Sequence, residues 1–368
     1  MTDALRPVSL PPGQPKPIIH EVSPENLEYP TVSMNGWMTP TSRLFRRNHF
    51  AYPTIDAQAW RLTVDGEVAA GRTLRLADLQ AMPQTSAWMT LVCSGNKRSL
   101  FEPPAEGTPW RSGAAGNAEW GGVLLRDLLR LTGPSPEAVE VLFTGADRGT
   151  FKETGEEVHF ARSLPLAAAL DGGALLALTM NGEPLPPEHG GPCRLVVPRW
   201  YGMASVKWLA RIGLLSRPFR GPFQTRDYVY LPAPGAYDRE TPVTLQKVDS
   251  VVTHPAPDRR FKPGRVTLRG VAWGGGSPLA AVEVSLDGGA TWAEAELAGP
   301  GAPAAWRLWQ FVTPSLPPGS HQAMVRATNA DGDVQPPAAP WNAKGYGNNA
   351  MPRVRFVVAL LSSEALLP

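Results

Sequence analysis

Proline and glycine punctuate this chain of 368 residues 40 and 36 times, and that density constrains the fold more than any other feature. Proline lacks the backbone donor that a helix interior or central strand needs, and glycine weakens both. The chain must therefore fold as short elements separated by turns, with little long helix. Hydrophobic residues at 43% are enough for real cores, and charged residues at 18% are too few for a solvated disordered chain. The length suggests two or three domains. Net charge is +2 with Lys and Arg scattered, so no nucleic-acid arm is expected. No apolar run approaches a membrane span. Cys93 and Cys193 are the only thiols. That rules out a disulfide framework, and the lack of CxxC or CxxCH excludes iron–sulfur, c-type haem and thioredoxin-type chemistry.

Residues 1–35 read as an extended, proline-rich arm without a hydrophobic segment, and structured sequence is expected from near residue 40. On this reading the chain has no signal peptide and is cytoplasmic by default, or periplasmic if a signal was removed. The Arg46–Arg47 pair is followed by Asn48 and His49 rather than an apolar stretch, unlike a twin-arginine signal.

From 36 to 240 the pattern is α+β. Strands are predicted at 59–68, with Leu62 and Val64 on one face, at 86–93 and at 193–198. Helices are predicted at 73–82, closed by Pro83, and at 121–131, stopped by Gly133–Pro134. From 241 to 368 the pattern changes. Short strands follow one another between Gly/Pro turns, with Val282, Val284 and Leu286 alternating before Asp287-Gly288-Gly289. That is the signature of an immunoglobulin-like β-sandwich.

Cys93 ends an apolar strand, then meets a Ser-Gly-Asn turn with Lys97 and Arg98 beyond it. Cations and turn amides lower a thiol pKa, so an activated thiolate is expected, either as nucleophile or as metal ligand. His49 and His189 are the candidate bases, in no protease-like context. The six His show no HxxxH or HxH spacing, so a metal on Cys93 would take most of its other ligands from a cofactor. Three loop clusters carry anion-binding groups: Arg46, Arg47, Asn48 and His49; His189 with two glycines and Arg194; and Ser205 with Lys207. Cys193 reads as a core residue.

Together these segments resemble the sulfite oxidase family of molybdopterin enzymes. The resemblance runs from about residue 40 to 358. It is carried in order by FRRNH (45–49), TLVCSGNKRS (90–99), MNGEPLPPEHGGPCRLVVP (180–198), VKWL (206–209), QTRDY (224–228), VSLDGGATW (284–292), AWRLW (305–309) and PWNAKGYGNNA (340–350). It implies a molybdopterin-binding domain followed by an immunoglobulin-like dimerisation domain, with one pterin per molybdenum and no haem. Cys93 falls at the metal-ligating thiolate. Phe45, Arg46, Arg47, Asn48, His49, Asp147, His189, Arg194, Ser205, Val206 and Lys207 fall at positions holding the pterin and its phosphate. Arg47 and Arg98 fall at cations of the oxyanion pocket, Tyr228 at a tyrosine near the reactive oxygen, and Lys344 where many members carry Arg.

The implied reaction is oxidation of sulfite to sulfate by a homodimer, with electrons passed to an external acceptor such as a c-type cytochrome. Another oxyanion redox reaction, such as nitrate reduction, and a non-catalytic binding protein are the alternatives.

Overall fold

A computed structural model describes residues 15–360; the first part of the predicted arm, residues 1–14, and the end of the second domain, residues 361–368, lie outside the described residues. The rest of the arm is not simply extended. Strands β1 (Ile18–Val22) and β2 (Glu25–Glu28) form an antiparallel hairpin. Asn26, Leu27, Glu28 and Tyr29 are buried. The Glu28 carboxylate accepts backbone N–H groups of Arg111 at 2.7 Å and Gly113 at 2.6 Å, which docks the hairpin on the body that follows. Leu27 also exchanges two backbone hydrogen bonds with Arg46, at 3.0 and 2.9 Å.

The next elements are β3 (Arg61–Gly66), β4 (Arg72–Arg75), α1 (Leu76–Gln80), β5 (Thr85–Val92), β6 (Ala115–Leu124) and α2 (Leu125–Thr132). They continue with β7 (Glu140–Thr150), β8 (Glu157–Pro165), α3 (Leu166–Asp171), β9 (Leu175–Met180), β10 (Glu183–Pro184), β11 (Arg194–Val196) and β12 (Leu209–Leu215). One sheet has the order β4-β3-β12-β7-β8, with β3 and β12 parallel. The other has the order β10-β9-β6-β5, with β11 also on β9. Leu62, Val64, Phe143, Ile212 and Leu214 of the first sheet share a core with Leu176 and Leu195 of the second and with Leu125, Leu128 and Leu129 of α2.

Both predicted helices are shorter than their patterns suggest. Thr73 and Leu74 pair with Thr63 and Leu62 as a strand, leaving only Leu76–Gln80 helical. Residues 121–124 extend β6 against β9, with Val123 opposite Leu176, so α2 begins at Leu125. Ladder partners outweighed local periodicity in both places. Gly133, at φ 63, ends α2 in the left-handed conformation that glycine takes at low cost.

Beyond a connector that holds β13 (Val229–Tyr230) and β14 (Thr241–Pro242), the described chain is all strand and turn. It comprises β15 (Asp249–His254), β16 (Arg259–Phe261), β17 (Thr267–Trp273), β18 (Leu279–Ser285), β19 (Ala293–Glu294), β20 (Glu296–Ala298), β21 (Arg307–Val312), β22 (Gly319–Asn329) and β23 (Arg353–Val358). Two sheets, β15-β17-β21-β20 and β16-β23-β22-β18-β19, face each other across Leu268, Trp309, Val282, Val284, Val325 and Phe356. A further core joins the halves, with Tyr201, Met203, Phe223 and Tyr228 packed among Val251, Val271, Trp306 and Tyr346. No helix among the described residues is long and apolar enough to cross a membrane.

Candidate active site

A cleft opens where β5, the FRRNH segment and the loops around β11 converge. Its walls bring together residues from segments far apart in sequence: Phe45, Arg46, Arg47, Asn48, His49, Cys93, Asp147, His189, Arg194, Ser205, Lys207 and Tyr228. Cys93 directly follows β5. Its N–H donates to the Ala114 carbonyl at 2.9 Å, and Asn96 N–H closes the next turn onto the Cys93 carbonyl at 2.9 Å. The thiol is therefore fixed at a strand end.

Its protonation differs from the sequence expectation. Burial pushes the Cys93 thiol above its ordinary value, and the opposing pull of Arg47 and Arg98 does not overcome it. In the free chain the group is a thiol. A bound soft cation, whose coordination deprotonates the ligand, supplies the charge that the arginines leave short.

The cations divide into paired and unpaired. Arg46 is bound by Glu25 at 2.9 Å and Glu188 at 3.4 Å. Arg194 spends its guanidinium on the His189 and Ser205 carbonyls, both at 2.9 Å. Burial lowers it to about 9. Lys207 donates to Asn48 Oδ1; burial, reinforced by Arg194, holds its ammonium well below the usual range. Arg47 donates to the Asn48 carbonyl. Among the described residues none of Arg47, Arg194 and Lys207 forms an ion pair with a carboxylate. Asp147 offers little compensation, because burial raises its carboxyl to about 7. His49 and His189 are held neutral by burial and nearby cations, His189 at about 3. His189 Nε2 donates to the Thr41 carbonyl at 2.8 Å, so the cleft carries excess positive charge.

Tyr228 follows a turn of π-helix, Phe223–Asp227. Its hydroxyl lies 2.8 Å from His49 Nε2, and burial raises it, so it remains a phenol able to donate. Below its ring, 5.5 Å from the centroid, lies the buried guanidinium of Arg162, which donates to the Phe223 carbonyl.

Three expected site residues stand elsewhere. Arg98 packs behind the Cys93 turn, 4.8 Å from the Tyr346 ring centre, and donates to the Lys344 and Thr108 carbonyls, each at 3.0 Å. Gly95, Gly107 and Gly345 make room for it, since a Cβ on any of them would come within 3.0 Å of its side chain. Lys344 turns to Glu153, with Nζ 3.0 Å from Oε1. Val206 buries its side chain in the core of the first unit. Sequence reading assigned no role to Glu25, Glu188, Asp227 or Arg162. Glu188 and Asp227 lay inside motifs next to residues that were assigned, whereas Glu25 lay in a segment read as an arm.

The arrangement fits a molybdenum–pterin group. Asp147 Oδ1 is buried without a hydrogen-bond partner, as suits an acceptor meant for the N–H groups of a heterocycle. Arg194 and Lys207 are buried basic groups without a carboxylate partner among the described residues, and a phosphate would favour the charged forms that burial opposes. The described residues hold no group of three His, Cys, Asp or Glu able to bind a metal, so the single thiol of Cys93 needs a cofactor that brings other ligands.

Fold and cleft together define a molybdopterin-type oxidoreductase. The family models for an oxidoreductase molybdopterin binding domain and a Mo-co oxidoreductase dimerisation domain match residues 49–223 and 241–359. The chain is 37% identical to the mitochondrial sulfite oxidase of Macaca fascicularis, covering 90% of this chain and 63% of that protein. It is 36% identical to the sulfite oxidase of Gallus gallus, covering 93% and 78%. The structure of the sulfane dehydrogenase SoxCD from Paracoccus pantotrophus superposes with a TM-score of 0.83 at 27% identity, covering 98% of this chain and 96% of that one. The chain belongs to the sulfite oxidase family. It spans less than two thirds of the macaque relative's length.

Proposed function

We propose that the protein is a molybdenum-dependent sulfite:acceptor oxidoreductase, converting sulfite and water to sulfate with release of two electrons and two protons. The observation that carries this reading is Arg47, a guanidinium in the Cys93 cleft with no carboxylate partner among the described residues. A fixed cation of this kind concentrates and orients a small oxyanion. Tyr228, protonated and steadied by His49 at 2.8 Å, donates a hydrogen bond to an oxyanion oxygen. Cys93 holds the metal, and Arg194, Lys207, Asn48 and Asp147 hold the pterin and its phosphate. When bound, the cofactor supplies the oxygen transfer and accepts the electron pair, while the protein supplies position and charge. Arg98 supports Cys93 from behind, and Lys344 is released from the pocket role by its bond to Glu153.

The chain divides in this reading into an N-terminal segment to residue 35, a catalytic domain at 36–240 and an immunoglobulin-like dimerisation domain from 241. The family matches at 49–223 and 241–359 support that division. The partner in the resting assembly is a second copy, and electrons leave to an external acceptor such as a c-type cytochrome.

The test is sulfite-dependent reduction of ferricyanide by protein of known molybdenum content. Saturable turnover that vanishes in Cys93→Ser supports the reading. Molybdenum-loaded protein inert to sulfite but active with nitrate or another oxyanion rejects the substrate while keeping the site.

A further inference from the structure

The turn that carries Cys93 is gripped from behind by the C-terminal unit. Lys97 adopts a left-handed backbone, φ 64, and sends its side chain away from the cleft. Its buried Nζ lies 2.5 Å from Asp249 Oδ1 and 2.9 Å from the Ser250 carbonyl. Asp249 Oδ1 also accepts from Gln335 Nε2 and from Ser250 N–H, both at 2.8 Å. The backbone of the same turn is held as well. Gly347 N–H donates to the Ser94 carbonyl at 2.8 Å, and Asn348 Nδ2 donates to the Lys97 carbonyl at 3.0 Å.

A buried lysine–carboxylate pair is costly to desolvate and adds little net stability over an apolar pair of similar volume. What such a pair does enforce is a single arrangement of the groups it joins. Here it joins the turn immediately after Cys93 to the first strand of the C-terminal sandwich, β15.

We infer that Lys97 and Asp249 are positioning residues, whose pairing locks the Cys93 turn onto the C-terminal unit and so sets where the thiol sits in the cleft. The second unit then takes part in building the metal site of the first. Lys97, like Arg98, is not a cation of the substrate pocket.

Cysteine alkylation tests this on the full-length chain purified without molybdenum. Cys193, fully buried in the core of the first unit, serves as an internal reference. Iodoacetamide labelling is followed at both thiols by peptide mass spectrometry in wild type, Lys97→Met, Lys97→Arg and the double variant Lys97→Met/Asp249→Asn. Loss of the lock is expected to speed Cys93 labelling about tenfold in Lys97→Met while Cys193 stays unchanged, the pattern of local rather than global opening. Lys97→Arg keeps the cation and restores the wild-type rate. The double variant leaves no stranded buried charge, so it tests the turn even where Lys97→Met folds poorly, and it too labels Cys93 faster. An unchanged Cys93 rate in the double variant overturns the inference. So does a parallel rise at Cys93 and Cys193, which marks a merely structural role. The consequence for turnover rests on Cys93 being the metal's thiolate, whereas the labelling ratio does not, so the two fail separately.

Discussion

Arg47 stands half-buried in the cleft it shares with Cys93 and Tyr228, and its guanidinium is favoured by the Asp227 carboxylate without forming an ion pair to it. With no ion pair to break, it meets an incoming oxyanion at small reorganisation cost. Arg47→Met should raise KM for sulfite roughly ten- to hundredfold, as expected for a charge-assisted hydrogen bond, and lower kcat less. Steady-state kinetics at fixed molybdenum content reads the split. Arg46 is one residue away, yet Glu25 and Glu188 already neutralise it. Arg46→Met should therefore weaken cofactor retention more than sulfite binding. Residue type and order were enough to gather most of this cleft, because the motifs fix backbone position. They were not enough for Arg98, Lys97 and Lys344, where side-chain direction decides. Lys97 is turned by a left-handed backbone, and Lys344 by a carboxylate more than a hundred residues away in sequence. The Cys93 protonation state was misjudged for a related reason. Neighbouring cations are visible in the sequence, and the burial that outweighs them is not.

Among the elements, the short 3-10 turn Pro187–His189 shows how the fold tolerates no bulk behind the cations. Gly190 caps it at φ 101, and a Cβ there would lie 2.7 and 2.8 Å from Cβ and Cγ of Lys207. Gly190→Ala should cost about 1–3 kcal/mol for the left-handed backbone alone. It should also push Lys207 off Asn48. The expected result is a lower melting temperature together with reduced molybdenum content, and an unchanged metal content would show that Lys207 is free to shift. Strand positions such as Leu62 and Val64, and the alternating Val282 and Val284, were legible because one face of each strand is core. The hairpin Ile18–Glu28 was not legible. Its turn is Ser23–Pro24, that proline and the ones flanking the hairpin mimic a linker, and its stability comes from Glu28 and Asn26 meeting backbone groups of distant segments. Helix starts at Leu76 and Leu125 shifted for the same kind of reason, since strand pairing is long-range information.

Across the whole molecule, the cleft sets two titrations against each other. Burial holds His189 at about 3, below the ordinary 6.5. Its stabilising contribution is present above pH 6.5 and is lost as pH falls through the range toward 3, because only the unfolded chain takes up the proton. Burial holds Asp147 at about 7, above 3.8. Its contribution is full below that lower value and is lost as pH rises through 7. Over the interval between about pH 7.5 and 5 the two groups change folding stability in opposite senses. The two oppose one another in the cofactor-free wild type. Removing either should expose the other. In urea melts, His189→Gln keeps the donor to the Thr41 carbonyl and should make the protein gain stability on acidification relative to wild type. Asp147→Asn should make it lose stability over the same interval. Parallel profiles for wild type and both variants would mean that neither group is held away from its ordinary titration, and would remove the electrostatic argument that the cleft is built around an anionic occupant.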